Sequence, residues 1–252
     1  MINSLFYKYV ALSHIDSHRE AHKTICEELG LKGKVLVSEE GLNGNVTGSK
    51  DAVETYEAWI TSQDEFVDME FKHGPTDKHN FTRIVVKLRD EIITTHHDED
   101  RTLINDRAPH LAPEEFKQKI EHDDDLIIVD ARNTYEYNEG HFDGAIHLGL
   151  DKFSEWFDKT NELQPFKDKT IVTYCTGGIR CEKASAALKR KGFQNVYQLH
   201  GGILKYGEVI GDDYWVKDCF VFDQRHAVPI DPAKQGNDTS KIEAYEPYAE
   251  KK

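Results

Sequence analysis

Three short segments in the second half of the chain are rich in apolar side chains and show no alternation between apolar and polar positions. They are residues 126–129, 171–174 and 196–199. A strand of this kind is buried on both faces, as in a parallel sheet with helices on either side. Helical segments separate these strands, with one helix predicted to begin at Pro113 and another to end near Gly192. The second half is therefore predicted to be an α/β domain built on a parallel sheet.

The first ninety residues follow a different order of elements. The predicted strands are 5–12, 34–37, 46–48, 70–72 and 83–88. Two helices are predicted between them, one capped by Ser17 or Asp16 and the other capped by Ser49. Residues 39–45 contain glycine and asparagine, which favour positive φ, and a turn is predicted there. The order β-α-β-β-α-β is typical of a ferredoxin-like split βαβ unit.

These patterns predict two domains joined by a linker. The ferredoxin-like domain is placed at residues 1–93 and the parallel-sheet domain at 113–218. Residues 94–112 are polar, lack a sustained hydrophobic period and are predicted to be the linker. Residues 219–252 form a C-terminal segment that ends in a polar tail.

Charge and cysteine content exclude several classes of protein. The chain has 32 Lys and Arg against 46 Asp and Glu, a net charge of -14, which argues against a protein that coats nucleic acid through bulk charge. No apolar stretch is long enough to span a membrane, and the N-terminus lacks the pattern of a secretory signal, so we expect a cytoplasmic protein. The four cysteines are expected to be free thiols. No CxxC pair or Cys/His cluster has zinc-ligand spacing, and no metal site is predicted.

The segment that follows residues 171–174 carries most of the functional signal. A buried strand ends at a cysteine, a Gly-Gly loop follows, and a helix then begins; the loop consists of Cys175, Thr176, Gly177, Gly178, Ile179 and Arg180. Backbone N–H groups in such a loop form an anion-binding nest, and the helix N-terminus adds its positive end. Arg180 adds a permanent cation. We expect Cys175 to have a lowered pKa and to act as a nucleophile.

Two cysteines in this segment have alternative interpretations. Taken alone, Cys175 is a small buried hydrophobe at a strand end; the glycines, Arg180 and the helix start favour the nucleophile. Cys181, one helical turn further on, is either a resolving or relay thiol or a packed residue of the first turn. Four residues separate Cys175 from Arg180, which suits a single sulfur atom better than a phosphoryl group and favours persulfide chemistry.

Two upstream motifs accompany this loop, Val-Asp-Ala-Arg at 129–132 and Gly-His-Phe-Asp-Gly-Ala-Ile at 140–146. Together with the Cys175 loop and the Gly-Gly-Ile that begins at Gly201, they resemble the rhodanese domain over about residues 113–218. The resemblance implies that Cys175 is the persulfide-forming cysteine. Asp130, Arg132, Glu136 and His141 are expected to fix local turns and ion pairs rather than to perform chemistry.

Motifs across the whole chain indicate a narrower family than the rhodanese domain alone does. The Glu-Gly-Leu-Asn-Gly segment at 40–44, the loop that runs from Tyr174 to Ser185, and the Lys-Asp-Cys-Phe-Val-Phe-Asp-Gln-Arg segment at 217–225 resemble the bacterial rhodanese-type tRNA uridine hydroxylases. The resemblance implies oxygen-dependent 5-hydroxylation of the wobble uridine of tRNA, with molecular oxygen as co-substrate. No dinucleotide fingerprint or other cofactor motif is evident. Longer members carry a cysteine-rich C-terminal extension, where this chain has its polar tail. No protein partner is identifiable.

Two other functions stay open at this point. One is a sulfurtransferase that carries sulfane sulfur as a Cys175 persulfide, and the other is a non-catalytic binding protein, which the intact Cys175–Arg180 loop disfavours.

Short basic stretches supply candidate RNA contacts on this acidic chain. Phosphate contacts need only a local stripe of positive charge. The candidate residues are Lys72, Lys78, Arg83, Lys87, Arg89 and Lys183. The alternative is that these cations belong to ordinary solvated faces of strands and helices.

Overall fold

The computed structural model describes residues 1–96 and 103–235. The described chain divides into two compact units. Unit 1 contains residues 1–92, 221–228 and Gln235, and unit 2 contains the rest. Residues 97–102 of the predicted linker and residues 236–252 of the predicted polar tail lie outside the described residues.

The first part of unit 1 contains five strands and two helices of regular length. These are β1 (Ile2–Tyr9), α1 (Ile15–Glu28), β2 (Lys32–Ser38), β3 (Gly41–Gly48), α2 (Lys50–Thr61), β4 (Phe71–Pro75) and β5 (Ile84–Leu88), with a 3-10 turn at Asp64–Phe66. The sheet order is β4-β1-β3-β2-β5. Neighbours are antiparallel except β2 and β5, which run parallel. The first four strands have the ferredoxin-like arrangement that the sequence predicts, and β5 extends the sheet at one edge.

Both helices of unit 1 pack on the same face of its sheet. Alternate residues of the strands, such as Phe6, Val35 and Val46, are buried against Cys26 of α1 and Tyr56 of α2. This alternation follows from the two-residue period of a strand. Ser49 caps α2 as predicted, and its side chain accepts a hydrogen bond from the Ala52 N–H.

Two local predictions in unit 1 are corrected by the structure. The turn predicted over residues 39–45 is confined to Glu39 and Glu40, and residues 41–45 lie in strand β3. The Phe6 ring packs onto Gly44 so closely that a Cβ there would lie 2.2 Å from Phe6 Cζ. Helix α1 begins at Ile15, and its N-cap is His14 at a φ of 55°, not Ser17 or Asp16. Gly44 therefore makes room for an aromatic ring and does not turn the chain.

Unit 2 contains the remaining elements up to the C-terminal segment. They are β6 (His110–Leu111), α3 (Pro113–His122), β7 (Leu126–Asp130), α4 (Thr134–Glu139), β8 (Gly140–Phe142), β9 (Ile146–His147), α5 (Trp156–Lys159), β10 (Thr170–Tyr174), α6 (Ile179–Arg190), β11 (Val196–Leu199), α7 (Gly202–Val209), β12 (Trp215–Lys217) and β13 (Cys219–Phe220). Four 3-10 turns lie at Leu103–Asp106, Phe153–Glu155, Thr160–Phe166 and Pro232–Lys234. A last short strand, β14 (Ala227–Val228), belongs to unit 1.

The main sheet of unit 2 is parallel, with the order β6-β11-β10-β7-β9. A separate antiparallel pair is formed by β8 and β12. Residues of β10 are buried on both faces: Ile171 packs with Trp156 and α6, and Val172 packs with Phe116 of α3 and Tyr206 of α7. The predicted α/β fold with a buried parallel sheet is confirmed.

The described part of the segment 94–112 is packed into unit 2. Strand β6 is the edge of its sheet and pairs with β11, and Leu103 and Ala108 are buried in its core. No helix in the described residues is both long and apolar enough to cross a membrane. The predicted domain boundaries stay a prediction.

Candidate active site

Cys175 lies at the carboxyl end of the middle strand of the unit 2 sheet. Strand β10 ends at Tyr174, and α6 begins at Ile179, so Thr176, Gly177 and Gly178 form a tight connection. The carboxyl ends of parallel strands are where ligands and reactive groups of open α/β sheets lie. Cys175 is completely buried, and Ile179 is the one half-buried residue of the loop.

Backbone N–H groups of the loop point towards the Cys175 sulfur. Gly178, which caps α6 at a φ of 100°, donates its N–H to Cys175 Sγ over 3.2 Å. The N–H groups of Arg180 and Cys181 also act on the sulfur and lower its pKa, while the Cys181 N–H donates to the Gly178 carbonyl over 3.0 Å. The positive φ of Gly178 turns the chain so that these donors converge. The loop is therefore built to hold a negatively charged sulfur.

The outward carbonyls of the loop are satisfied by helix α7. The Ile203 N–H donates to the Cys175 carbonyl over 3.0 Å, and the Leu204 N–H donates to the Thr176 carbonyl over 3.1 Å. Gly202 allows this approach, since a Cβ there would lie 2.3 Å from the Cys175 carbonyl oxygen. Sequence reasoning noted the Gly-Gly pair only as part of a motif and missed its contact with the Cys175 loop. The sequence signal for this contact was the second glycine pair, Gly201 and Gly202, which follows strand β11 after His200.

These surroundings lower the pKa of the Cys175 thiol to about 6. Burial acts in the opposite direction and raises the pKa. A hydrogen bond from the Cys181 side chain, the positive charge of Arg180 and the backbone N–H groups of Arg180 and Cys181 outweigh burial. A lowered pKa favours the thiolate, which is the nucleophilic form of cysteine.

Arg180 is held by an ion pair with Glu136. Its Nη1 and Nη2 atoms lie 2.6 and 2.7 Å from the two carboxylate oxygens of Glu136, and both side chains are buried. The Thr176 hydroxyl lies 3.4 Å from both partners. Glu136 thus fixes the position of the guanidinium, whose charge acts on Cys175. A second buried pair joins Arg132 to Asp130 at 2.6 Å.

The Cys181 side chain is completely buried beside Cys175. Burial, followed by its hydrogen bond and charge interaction with Cys175, raises the pKa of the Cys181 thiol well above its ordinary value. Cys181 is therefore the less acidic thiol of the pair, and its side chain acts as the donor that lowers the pKa of Cys175.

The other two cysteines lie in different surroundings. Burial raises the pKa of Cys219 to about 12 and that of Cys26 also to about 12. Both are completely buried, like Cys175. The three sulfurs therefore share the same exposure and differ in charge state at neutral pH.

The candidate RNA contacts differ in accessibility. In unit 1, Lys78, Arg83, Lys87 and Arg89 are exposed. Lys72 is only 7% exposed, and its ammonium group lies 5.1 Å from the centre of the Tyr7 ring. Its position on β4 places it against an aromatic side chain, and its predicted contact with RNA stays a prediction.

The basic side chains of α6 in unit 2 form hydrogen bonds and ion pairs with other residues of the protein. Lys183 is 4% exposed, and its Nζ lies 3.4 Å from the Ile93 carbonyl. Its predicted contact with RNA also stays a prediction. Lys189 donates to the Arg107 carbonyl, Arg190 pairs with Asp106, and Lys191 donates to the Phe157 carbonyl. A basic run in sequence does not make a basic surface here, because α6 is a largely buried helix.

Possible metal ligands do not converge in the parts of the chain that the structure describes. No group of three or more His, Cys, Asp or Glu side chains there is arranged to hold an ion.

The fold and the loop around Cys175 define a rhodanese-type protein with a second, ferredoxin-like unit. The comparison with family models agrees. Residues 112–208 match the rhodanese-like domain, and residues 1–92 match the UPF0176 acylphosphatase-like domain. A solved rhodanese-like domain from Anabaena is 24% identical, with a TM-score of 0.37, and covers 43% of this chain and 79% of its own.

Relatives that match most of the chain narrow the class of protein to one family. A tRNA uridine(34) hydroxylase from Bacillus licheniformis is 42% identical over 232 residues, which cover 90% of this chain and 71% of the relative. A tRNA uridine(34) hydroxylase from Oceanobacillus iheyensis is 38% identical over 231 residues, with the same two coverages. The chain belongs to the tRNA uridine(34) hydroxylase family, and the resemblance predicted from the sequence is confirmed.

Proposed function

We propose that this protein is an oxygen-dependent hydroxylase that converts the wobble uridine of tRNA into 5-hydroxyuridine, with Cys175 as its nucleophile. The observation that carries the proposal is the Cys175 sulfur, which accepts the Gly178 N–H and lies in the Cys175–Arg180 loop beside Cys181, where its pKa is lowered, in a chain of this family. Such a sulfur is charged at neutral pH without help from a separate base.

The first step is the addition of Cys175 Sγ to C6 of the uracil ring. A C6–S bond forms, the C5–C6 π bond breaks, and its electron pair makes C5 an enolate carbon that reacts with molecular oxygen. One oxygen atom stays on C5. Loss of the C5 proton then breaks the C6–S bond and releases the Cys175 thiolate. The N–H groups of the loop stabilise this thiolate, so that it is a good leaving group.

The overall reaction needs a reductant of the thiol class. One uridine, one molecule of oxygen and two thiols give one 5-hydroxyuridine, one water and one disulfide. The second oxygen atom leaves as water, with both electrons coming from the thiols. In this proposal Cys181 positions and polarises Cys175 through its S–H, and a role as a resolving thiol stays a prediction.

The uridine reaches Cys175 only after a local movement. Cys175 and Thr176–Gly178 are buried, so the base requires a shift of the loop or of the side chains that cover it. A wobble uridine lies in a single-stranded anticodon loop, where a base can turn outward into a protein site at low cost. A tRNA substrate also implies a cytoplasmic location.

The experiment that tests this function is mass spectrometry of tRNA nucleosides from a strain that lacks the gene. Loss of 5-hydroxyuridine, restored by the wild-type gene, is the expected result. The rival sulfurtransferase predicts unchanged 5-hydroxyuridine together with loss of thiosulfate:cyanide activity. That second pattern would contradict the proposed function.

A further inference from the structure

An open groove of about 410 Å³ runs along the edge of the unit 1 sheet, between strand β5 and helix α1. Its charged lining consists of Arg19 and Lys23 from α1, Arg83 and Lys87 from the β5 segment, and one carboxylate, Glu20. Four cations against one acid make this groove strongly positive on a chain whose net charge is -14. Sequence reasoning noted Arg83 and Lys87 but not the two cations of α1.

Three of the groove cations are exposed and lack a counter-charge. Lys23, Arg83 and Lys87 form no ion pair with any residue of ranges 1–96 and 103–235, whereas Arg19 pairs with Glu20 at 2.6 Å. Some cations elsewhere in unit 1 do form ion pairs, such as Lys8 with Asp68 and Arg225 with Asp223. Unpaired cations that border one concave surface favour the binding of an external anion, which reduces their mutual repulsion.

The spacing of these cations fits an extended anion better than a single small one. Lys23 follows Arg19 by one helical turn, a rise of about 6 Å. Arg83 and Lys87 are four strand residues apart, a distance of about 13 Å. The charges therefore form two rows on either side of the groove. A chain of phosphates can contact both rows at successive positions.

Protection of a sheet edge does not account for the whole arrangement. Lysines on an edge strand discourage pairing with another strand, and β5 is the edge of this sheet among the described residues. However, Lys23 belongs to α1 and lies outside the strand. The positive field also continues past β5, because the pKa of Lys34 is lowered by burial and then by the nearby charges of Arg89 and Lys87.

We propose that the groove between α1 and β5 binds the phosphate backbone of tRNA, with Lys23, Arg83 and Lys87 as its contacts. This inference rests on the proposed function, which supplies tRNA as the polyanion. Phosphate contacts position an RNA without reading its bases. The groove is therefore expected to hold any tRNA equally well and to leave selection of the wobble uridine to the site at Cys175.

The test compares two double variants of equal net charge in the full chain. The groove variant is Lys23→Gln with Lys87→Gln, and the control is Lys50→Gln with Lys152→Gln, two exposed lysines that do not line the groove. Binding of two fluorescent tRNA transcripts, one with and one without a wobble uridine, is measured over a range of salt concentrations. The alkylation rate of Cys175 reports whether the rhodanese unit is intact.

The groove variant is expected to bind both tRNAs about tenfold more weakly near 0.1 M salt, with the salt slope reduced by about 1.5, because each phosphate contact contributes about 0.7 to 0.9 to that slope. The control is expected to match the wild type. Equal affinities and slopes for all three proteins would overturn the inference while leaving the proposed function intact, with an acidic protein segment as the groove's occupant. Absence of tRNA binding by the wild type at low salt would overturn both.

Discussion

The backbone N–H of Gly178 donates a hydrogen bond to Cys175 Sγ over 3.2 Å. Gly178 is also the N-cap of α6, at a φ of 100° that side-chain-bearing residues rarely adopt. One glycine thus ends the turn, begins the helix and aims a donor at the sulfur. This backbone path also brings the Arg180 charge and further N–H groups to the sulfur, and together with the Cys181 side chain, whose effect is the largest of these, they lower the pKa of Cys175.

The first prediction concerns the reactivity of Cys175 and Cys219 towards iodoacetamide. Both sulfurs are completely buried, so exposure is matched, but their pKa values are about 6 and about 12. At these pKa values, about nine-tenths of Cys175 is thiolate at pH 7, against about one part in 10⁵ of Cys219. The more acidic thiol is also the weaker nucleophile, so we expect Cys175 to be alkylated roughly 100-fold faster than Cys219.

The two cysteines are also expected to differ in how their labelling rates depend on pH. The Cys175 rate should be flat above pH 7 and fall about tenfold per unit well below pH 6, whereas the Cys219 rate should keep rising to pH 10. Peptide mass spectrometry after timed labelling measures both rates in one sample. Equal rates at neutral pH would show that Cys175 is an ordinary buried thiol.

The second prediction is that Cys181→Ala raises the pKa of Cys175. The substitution removes the S–H donor that is the largest of the influences lowering that pKa. We expect the midpoint of the Cys175 labelling profile to move up by about one pH unit, a change of about 1.4 kcal/mol in the interaction. Cys26→Ala, in the other unit, is the matched control. A merely structural Cys181 would affect stability but leave the midpoint where it is in the wild type.

The third prediction concerns the buried pair of Glu136 and Arg180. Glu136→Gln leaves the Arg180 guanidinium buried without its counter-charge, and removing one partner of such a pair typically costs about 3–5 kcal/mol. Urea unfolding monitored by tryptophan fluorescence should show this loss. Glu208→Gln breaks the exposed pair with Lys205 and should cost less than about 1 kcal/mol. Similar losses for the two variants would contradict the assigned role of Glu136.

The fourth prediction separates a steric contact from backbone strain. Gly202 and Gly144 both have positive φ, 65° and 71°, but a Cβ on Gly202 would lie 2.3 Å from the Cys175 carbonyl oxygen and one on Gly144 would meet nothing within 4 Å. Gly144→Ala should lower stability by about 1 kcal/mol and leave Cys175 labelling unchanged. Gly202→Ala should also slow that labelling at pH 7, because the loop must shift. A Gly202→Ala protein with wild-type labelling would contradict the contact.

The centre of the site could be predicted from sequence because its signals are local. An apolar strand, a cysteine, two glycines and an alanine-rich helix follow one another within residues 171–190, and each has a direct conformational meaning. The sequence also indicated that Glu136 forms an ion pair. It could not indicate Arg180 as the partner, because 44 residues separate the two.

The sequence predictions that differ from the structure concern positions whose conformation is set by tertiary packing. The glycines at 41 and 44 are common in turns, yet the Phe6 ring requires Gly44 inside a strand. Packing also decides how exposed a cation is: Lys72 lies against Tyr7 and Lys183 lies on a buried helix, and their predicted contacts with RNA stay predictions. Lys23 escaped notice because acidic residues surround it along α1, and only the fold places it beside Arg83.

The most direct test of the account is the 5-hydroxyuridine content of tRNA in a deletion strain that expresses Cys175→Ser. A serine keeps the size and loses the thiolate, so we predict a folded protein and no 5-hydroxyuridine, while Cys219→Ser restores the wild-type level. Circular dichroism of both purified variants verifies folding. Wild-type levels of 5-hydroxyuridine with Cys175→Ser would contradict the claim that this sulfur performs the reaction.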